Sequence, residues 1–162
     1  MLTIDGKPVP VVRLRYKNVE VALAEVLGIK NLGFPAFQAR LRNFRSLIAE
    51  VPKTGKGSQI EYDFRQTLIF LLALQLNYFG LSPMYACSYA LAATIAYKEA
   101  EKTENGDVYV VTSGDLKTDI RAFVGTEQLA KAINDGLVAF FTFNVSERIR
   151  SLSAAIQAQN LT

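Results

Sequence analysis

The 162-residue chain has no histidine, no tryptophan and one cysteine, Cys87. Without histidine it cannot build a Ser-His-Asp triad, a His general base or the usual Cys/His zinc site. A single cysteine excludes an internal disulfide and suits a reducing compartment, so a cytoplasmic protein is expected. Cys87 itself reads as a small buried hydrophobe. Long hydrophobic runs are missing too. Residues 66–97 carry no charge, but Gln75, Asn77, Gly80, Ser82 and Pro83 interrupt them. The strongly apolar part, Leu68 to Leu74, is far shorter than the roughly 20 residues that span a bilayer. Two buried helices are expected there, and no membrane partner. The N-terminal stretch MLTIDGKPVPVVRLRYKN lacks the apolar segment of a signal peptide.

What is present is a hydrophobic half, enough for a buried core, and an uneven charge distribution. Residues 1–65 hold eleven Lys/Arg against six Asp/Glu, a balance of +5. Residues 66–162 hold seven against nine, a balance of −2. Basic charge gathered in the first part points to a polyanionic partner there.

Along the chain, Asp5-Gly6-Lys7-Pro8 offers turn chemistry for an N-terminal hairpin arm, residues 1–18. Val12, Leu14 and Tyr16 then alternate with Arg13, Arg15 and Lys17, as an edge strand or a basic arm does. Asn18 is placed to cap a helix over residues 19–27 that Gly28 ends. A second helix is expected over about 35–49, with Pro35 in its first turn. A glycine-rich ribbon, VPKTGKGSQIEY at residues 51–62, follows. Asp63 with Gln66 reads as a capping box, Gly80 as a stop, and Ser82-Pro83 as a restart towards Glu101. After Asn105-Gly106, strands are expected at 107–112, 120–124 and 137–143. Helices are expected from Thr126 to Ile133 and from Asn144 to about Gln159.

Two short helices, a glycine-containing turn and a basic ribbon describe a winged helix-turn-helix. A major groove about 12 Å wide admits one helix, which must bury one face and offer polar groups on the other. Phe37, Leu41, Phe44 and Ile48 recur at helical spacing and supply the buried face. Gln38, Arg40, Arg42, Asn43 and Arg45 supply donors for base edges and phosphates, and Lys53 and Lys56 on the ribbon supply phosphate contacts. The P-loop alternative fails on spacing. No glycine stands five positions before a Gly-Lys-Ser/Thr, and the glycines here lead into a strand rather than a helix. No catalytic residues, metal or cofactor are expected.

From about Val19 to Ala86 the chain resembles the DNA-binding domain of the MerR-type transcription regulators. The resemblance rests on VALAEVLGI, FPAFQARLRNFRSLI, VPKTGKGSQIEY, Tyr62-Asp63 and the Gly80-Leu81-Ser82 helix end. Ser58-Gln59 stands where that family usually carries an arginine before the last wing strand. The resemblance implies a sequence-specific transcription regulator binding double-stranded DNA as a homodimer. The expected fold is α+β: a mainly helical winged helix-turn-helix domain with a helical extension over residues 19–104, then a small strand–helix segment over 105–162. That last segment is read as a dimerisation or effector module. The same helices acting as a protein–protein adaptor or an RNA binder is the alternative.

Overall fold

A computed structural model of the chain describes residues 3–4, 7–9, 11–30, 33–48, 60–100, 106–113, 120–137 and 139–159. Among these residues the fold is α+β, with six helices and three small antiparallel sheets. They form two compact units that interleave along the chain. One joins Met1–Val9 to Leu91–Arg150, and the other joins Pro10–Ala90 to Ser151–Thr162. The sequence reading divides the chain linearly at residues 18 and 104. The interleaving arises because two long helices, Pro83–Ala100 and Val145–Gln159, each begin in one unit and end in the other.

In the hairpin arm, β1 (Thr3–Ile4) pairs antiparallel with β2 (Lys7–Pro8). The helix-rich unit starts with β3 (Leu14–Arg15), which leads directly into α1 (Tyr16–Val26). The helix therefore begins three residues before the expected Val19, and Asn18 lies inside it. The cause is tertiary. Leu14 and Arg15 pair antiparallel with Tyr62 and Glu61 of β4 (Glu61–Tyr62), which fixes extended backbone up to Arg15. Helix geometry then starts at once, without a side-chain cap. Asn18 serves instead through its carbonyl, which accepts from Gln159 Nε2 at 3.3 Å.

The helix ends follow their glycines. Gly28 (φ 65°) and Gly80 (φ 99°) take left-handed backbone that a side chain would strain. At the first, Ile29 N–H donates to Ala24 O at 2.9 Å and Gly28 N–H to Glu25 O at 3.1 Å. At the second, Leu81 donates to Leu76 and Gly80 to Asn77 in the same two-bond pattern. Both are Schellman motifs. Pro35 stands in the first turn of α2 (Phe34–Leu47), where no intrahelical donor is lost.

The helix α3 (Phe64–Tyr78) is apolar nearly all round, with ten buried residues, and forms the centre of this unit. Its start is the expected capping box. Gln66 N–H donates to Asp63 Oδ1 at 2.7 Å, and Asp63 N–H donates to Gln66 Oε1 at 2.9 Å. Asp63→Ala is expected to cost about 1 kcal/mol of stability. Urea denaturation reads this directly, and an unchanged midpoint would show that the box contributes nothing.

The second unit holds most of α4 (Pro83–Ala100) and a three-stranded antiparallel sheet ordered β6-β5-β7: β5 (Val108–Ser113), β6 (Ile120–Val124) and β7 (Ala139–Asn144). It also holds α5 (Gly125–Asn134) and the start of α6 (Val145–Gln159). Two starts differ from expectation. The strand β7 begins at Ala139 because Leu137 N–H is spent closing α5 on Ala132 O. Likewise α5 begins at Gly125, ahead of Thr126, and Gln128 Oε1 accepts from Val124 N–H at 3.1 Å.

Asp107, expected as the first residue of β5, precedes it and ties this unit together. Its carboxylate accepts from Asn144 Nδ2 at 2.9 Å and from Arg150 Nη2 at 2.7 and 2.8 Å. The Asn144 bond and the Arg150 guanidinium hold the Asp107 pKa below its usual value against the opposing effect of burial. A carboxyl whose folded pKa is depressed stabilises the fold above its unfolded pKa of about 4, and that contribution is lost as pH falls through the folded value. Asp107→Asn is therefore expected to be less stable than wild type at pH 7. The difference should shrink as pH is taken well below 4, measured by urea midpoints at both pH values.

Among the described residues no helix is long and apolar enough to cross a membrane.

Candidate nucleic-acid interface

The helix α2 is the element on which the sequence placed most of its functional side chains. Phe37, Leu41 and Phe44 are buried along one stripe, with Ile48 buried just beyond the helix end. At 100° per residue, the opposite face carries Ala39, Arg42, Asn43 and Ser46. All four are exposed. Ser46 is the residue the sequence reading left out. It lies one turn beyond Arg42, and its hydroxyl donates to Asn43 O at 2.7 Å. Its spacing from Arg42, opposite the apolar stripe, was the available signal.

The seven residues singled out from sequence do not share one surface. Arg42 and Asn43 lie on the solvent face of α2. Arg40 is exposed but flanks the buried stripe, beside Ala36 and Phe37 at a cleft against α3. Gln38 and Arg45 turn inward. Gln38 Nε2 donates to Glu20 Oε2 at 3.1 Å, joining α2 to a buried carboxylate of α1. The guanidinium of Arg45 lies over the Tyr16 ring, 5.3 Å from its centroid. Lys53 and Lys56, with the ribbon through residue 59, lie outside the described residues.

Beneath Arg45 sits a small aromatic stack. Tyr16 and Tyr62 have ring centroids 6.0 Å apart, and Tyr62 meets Phe70 edge-on at 5.9 Å. Burial, then the nearby Glu20 carboxylate and Tyr62, push the Tyr16 hydroxyl up to about 12, against the pull of the Arg45 and Arg42 charges. Burial raises Tyr62 as well, and Arg45 partly offsets it. Both phenols are therefore neutral at physiological pH. Arg45 is thus held over the Tyr16 ring of α1, which ties α2 to α1.

The β3–β4 pair brings Glu61 and Tyr62 next to the start of α1. There Arg15 and Lys17 are exposed, and Arg13 forms an ion pair with Glu61 at 3.5 Å between largely solvent-exposed side chains. Such a pair contributes little to stability. Arg15 and Lys17 stand as exposed cations beside the β3–β4 pair. Among the described residues, no three His, Cys, Asp or Glu side chains gather as a metal site would require. Cys87 is buried, and burial raises its thiol to about 11, which suppresses thiolate chemistry.

No protein-family model matches the chain, and no curated protein matches it.

Proposed function

We propose that the chain is a sequence-specific DNA-binding transcription regulator of the winged helix-turn-helix kind, similar in plan to the MerR-type regulators. One observation carries this reading. The helix α2 buries Phe37, Leu41 and Phe44 while leaving Arg42 and Asn43 exposed on the opposite face. A helix of that construction offers a major groove one guanine-reading and one adenine-reading side chain. The antiparallel β3–β4 pair supports it, because a wing must return to the body of the domain just where the chain re-enters a helix. Lys53 and Lys56 then serve phosphates, and a homodimer in the cytoplasm reads a roughly palindromic site.

Gln38 and Arg45 take a different role in this reading. Bonded to Glu20 and stacked on Tyr16, they set the pose of α2 rather than reading bases. The test starts with selection of duplexes from a randomised pool, which returns the preferred site. Arg42→Ala is then expected to weaken binding to that site by about 1–3 kcal/mol with folding stability unchanged. Arg45→Ala and Gln38→Ala are expected to lose about 0.5–1.5 kcal/mol of stability, seen in urea midpoints. Lys56→Ala is expected to weaken selected and random duplexes alike. No enriched motif, or an Arg42→Ala protein that binds like wild type, would remove the proposal.

A further inference from the structure

The exposed end of the helix-rich unit contains a cleft of about 320 Å³ where the ends of α1 and α3 meet the start of α2. This is the lower range of small-molecule sites. Its walls are apolar, chiefly Leu27, Phe37 and Leu74, and Tyr78 and Phe79 line it as well. Those two aromatics are 79% and 61% exposed, large rings left in water beside a concave apolar surface. Two polar side chains, Arg40 and Gln75, also line the cleft. Arg40 is an exposed cation with no ion pair among the described residues. Gln75 has its Oε1 shielded from solvent with no hydrogen bond. An acceptor left in that state is costly, and turning the half-buried side chain outward to a ligand donor in the cleft would remove the cost.

Apolar walls, an exposed cation and an acceptor without a hydrogen bond define a ligand. We infer that this cleft binds a small organic anion: an aromatic or alicyclic body bearing a carboxylate or sulfonate for Arg40 and one N–H or O–H donor for Gln75. The concave shape and the volume of about 320 Å³ favour a small molecule over a protein surface. Tyr78 and Phe79 would close over its body. The inference does not rest on DNA binding, and its test contains no nucleic acid.

Two dyes of nearly the same shape separate the contributions. 8-Anilinonaphthalene-1-sulfonate carries an anion and a bridging N–H, whereas N-phenyl-1-naphthylamine has the same rings and N–H but no sulfonate. Calorimetric titration of the folded protein is expected to give one site for each dye, with the sulfonate bound more tightly. Arg40→Gln is expected to weaken the sulfonate about 5-fold or more and leave the neutral dye unchanged. Gln75→Leu is expected to weaken both dyes equally. Ala36→Trp, an exposed position that fills the cleft from α2, is expected to abolish binding of both. Undiminished dye binding by Ala36→Trp, or an Arg40→Gln protein that no longer distinguishes itself from wild type towards the sulfonate, would overturn the assignment.

Discussion

Phe44→Ala is expected to cost about 3–5 kcal/mol of folding stability, the largest loss for any single truncation on α2. Phe44 is completely buried on the stripe shared with Phe37 and Leu41, so truncation removes a ring and leaves a cavity in a helical core. Domains of this size are stable by only about 5–15 kcal/mol, so the loss takes a large share of the total. Urea denaturation followed by circular dichroism should show a lower midpoint with an unchanged slope, since the same surface is exposed on unfolding. Leu47→Ala is the control. Leu47 is 40% exposed on the same helix, and its truncation is expected to cost less than about 1 kcal/mol. A loss below about 1 kcal/mol for Phe44→Ala would mean that α2 does not bury this face, and the proposed reading surface would lose its basis.

The same stripe shows what sequence can and cannot convey. Apolar positions at 37, 41, 44 and 48 reveal which face of α2 is buried, because burial follows helical geometry and both are local. The capping box at Asp63 and the stops at Gly28 and Gly80 are legible for the same reason. Each is closed by residues within five positions of one another. The start of α1 is not legible. Asn18 is a better cap than Arg15, but pairing of Leu14 and Arg15 with a strand nearly fifty residues later decides where extended backbone ends. Local preference yields to a tertiary contact.

The candidate site divides along the same line. Composition identifies Gln38 and Arg45 as polar groups beside the stripe, and polar groups there suit base edges. Their real neighbours are Glu20, eighteen residues earlier, and Tyr16, on the preceding helix. No periodicity contains that pairing. The cleft is further from view, because its lining comes from chain segments around residues 27–40 and 74–79. Tyr78 and Phe79 look like ordinary core aromatics in sequence. Only the fold leaves them exposed beside Gln75, whose Oε1 has no hydrogen bond among the described residues.

Duplex binding is expected to weaken steeply with salt, and the steepness also reports how many chains bind. Arg40, Arg42, Lys53 and Lys56 are four cations proposed to reach DNA, and each counts as one phosphate contact when α2 and the ribbon dock. Four phosphate contacts give a slope of about −3.6 for log affinity against log salt. Affinity for the selected duplex then falls roughly 150-fold between 50 and 200 mM salt for one bound chain. Two chains on a palindrome double the contacts and raise the loss to about 10⁴-fold over the same range. Lys56→Ala should reduce the slope by about 1 per bound chain, whereas Gln38→Ala should leave it unchanged because it removes no charge. Fluorescence anisotropy across a salt series measures both. Duplex RNA is the needed comparison, since its major groove is too deep and narrow for a helix to read. A slope shallower than about −1, or equal affinity and slope on RNA, would point to an adaptor or an RNA binder built on the same helices. A slope near −7 on a palindrome and near −3.6 on a half-site would establish the dimer and the contact count in one experiment.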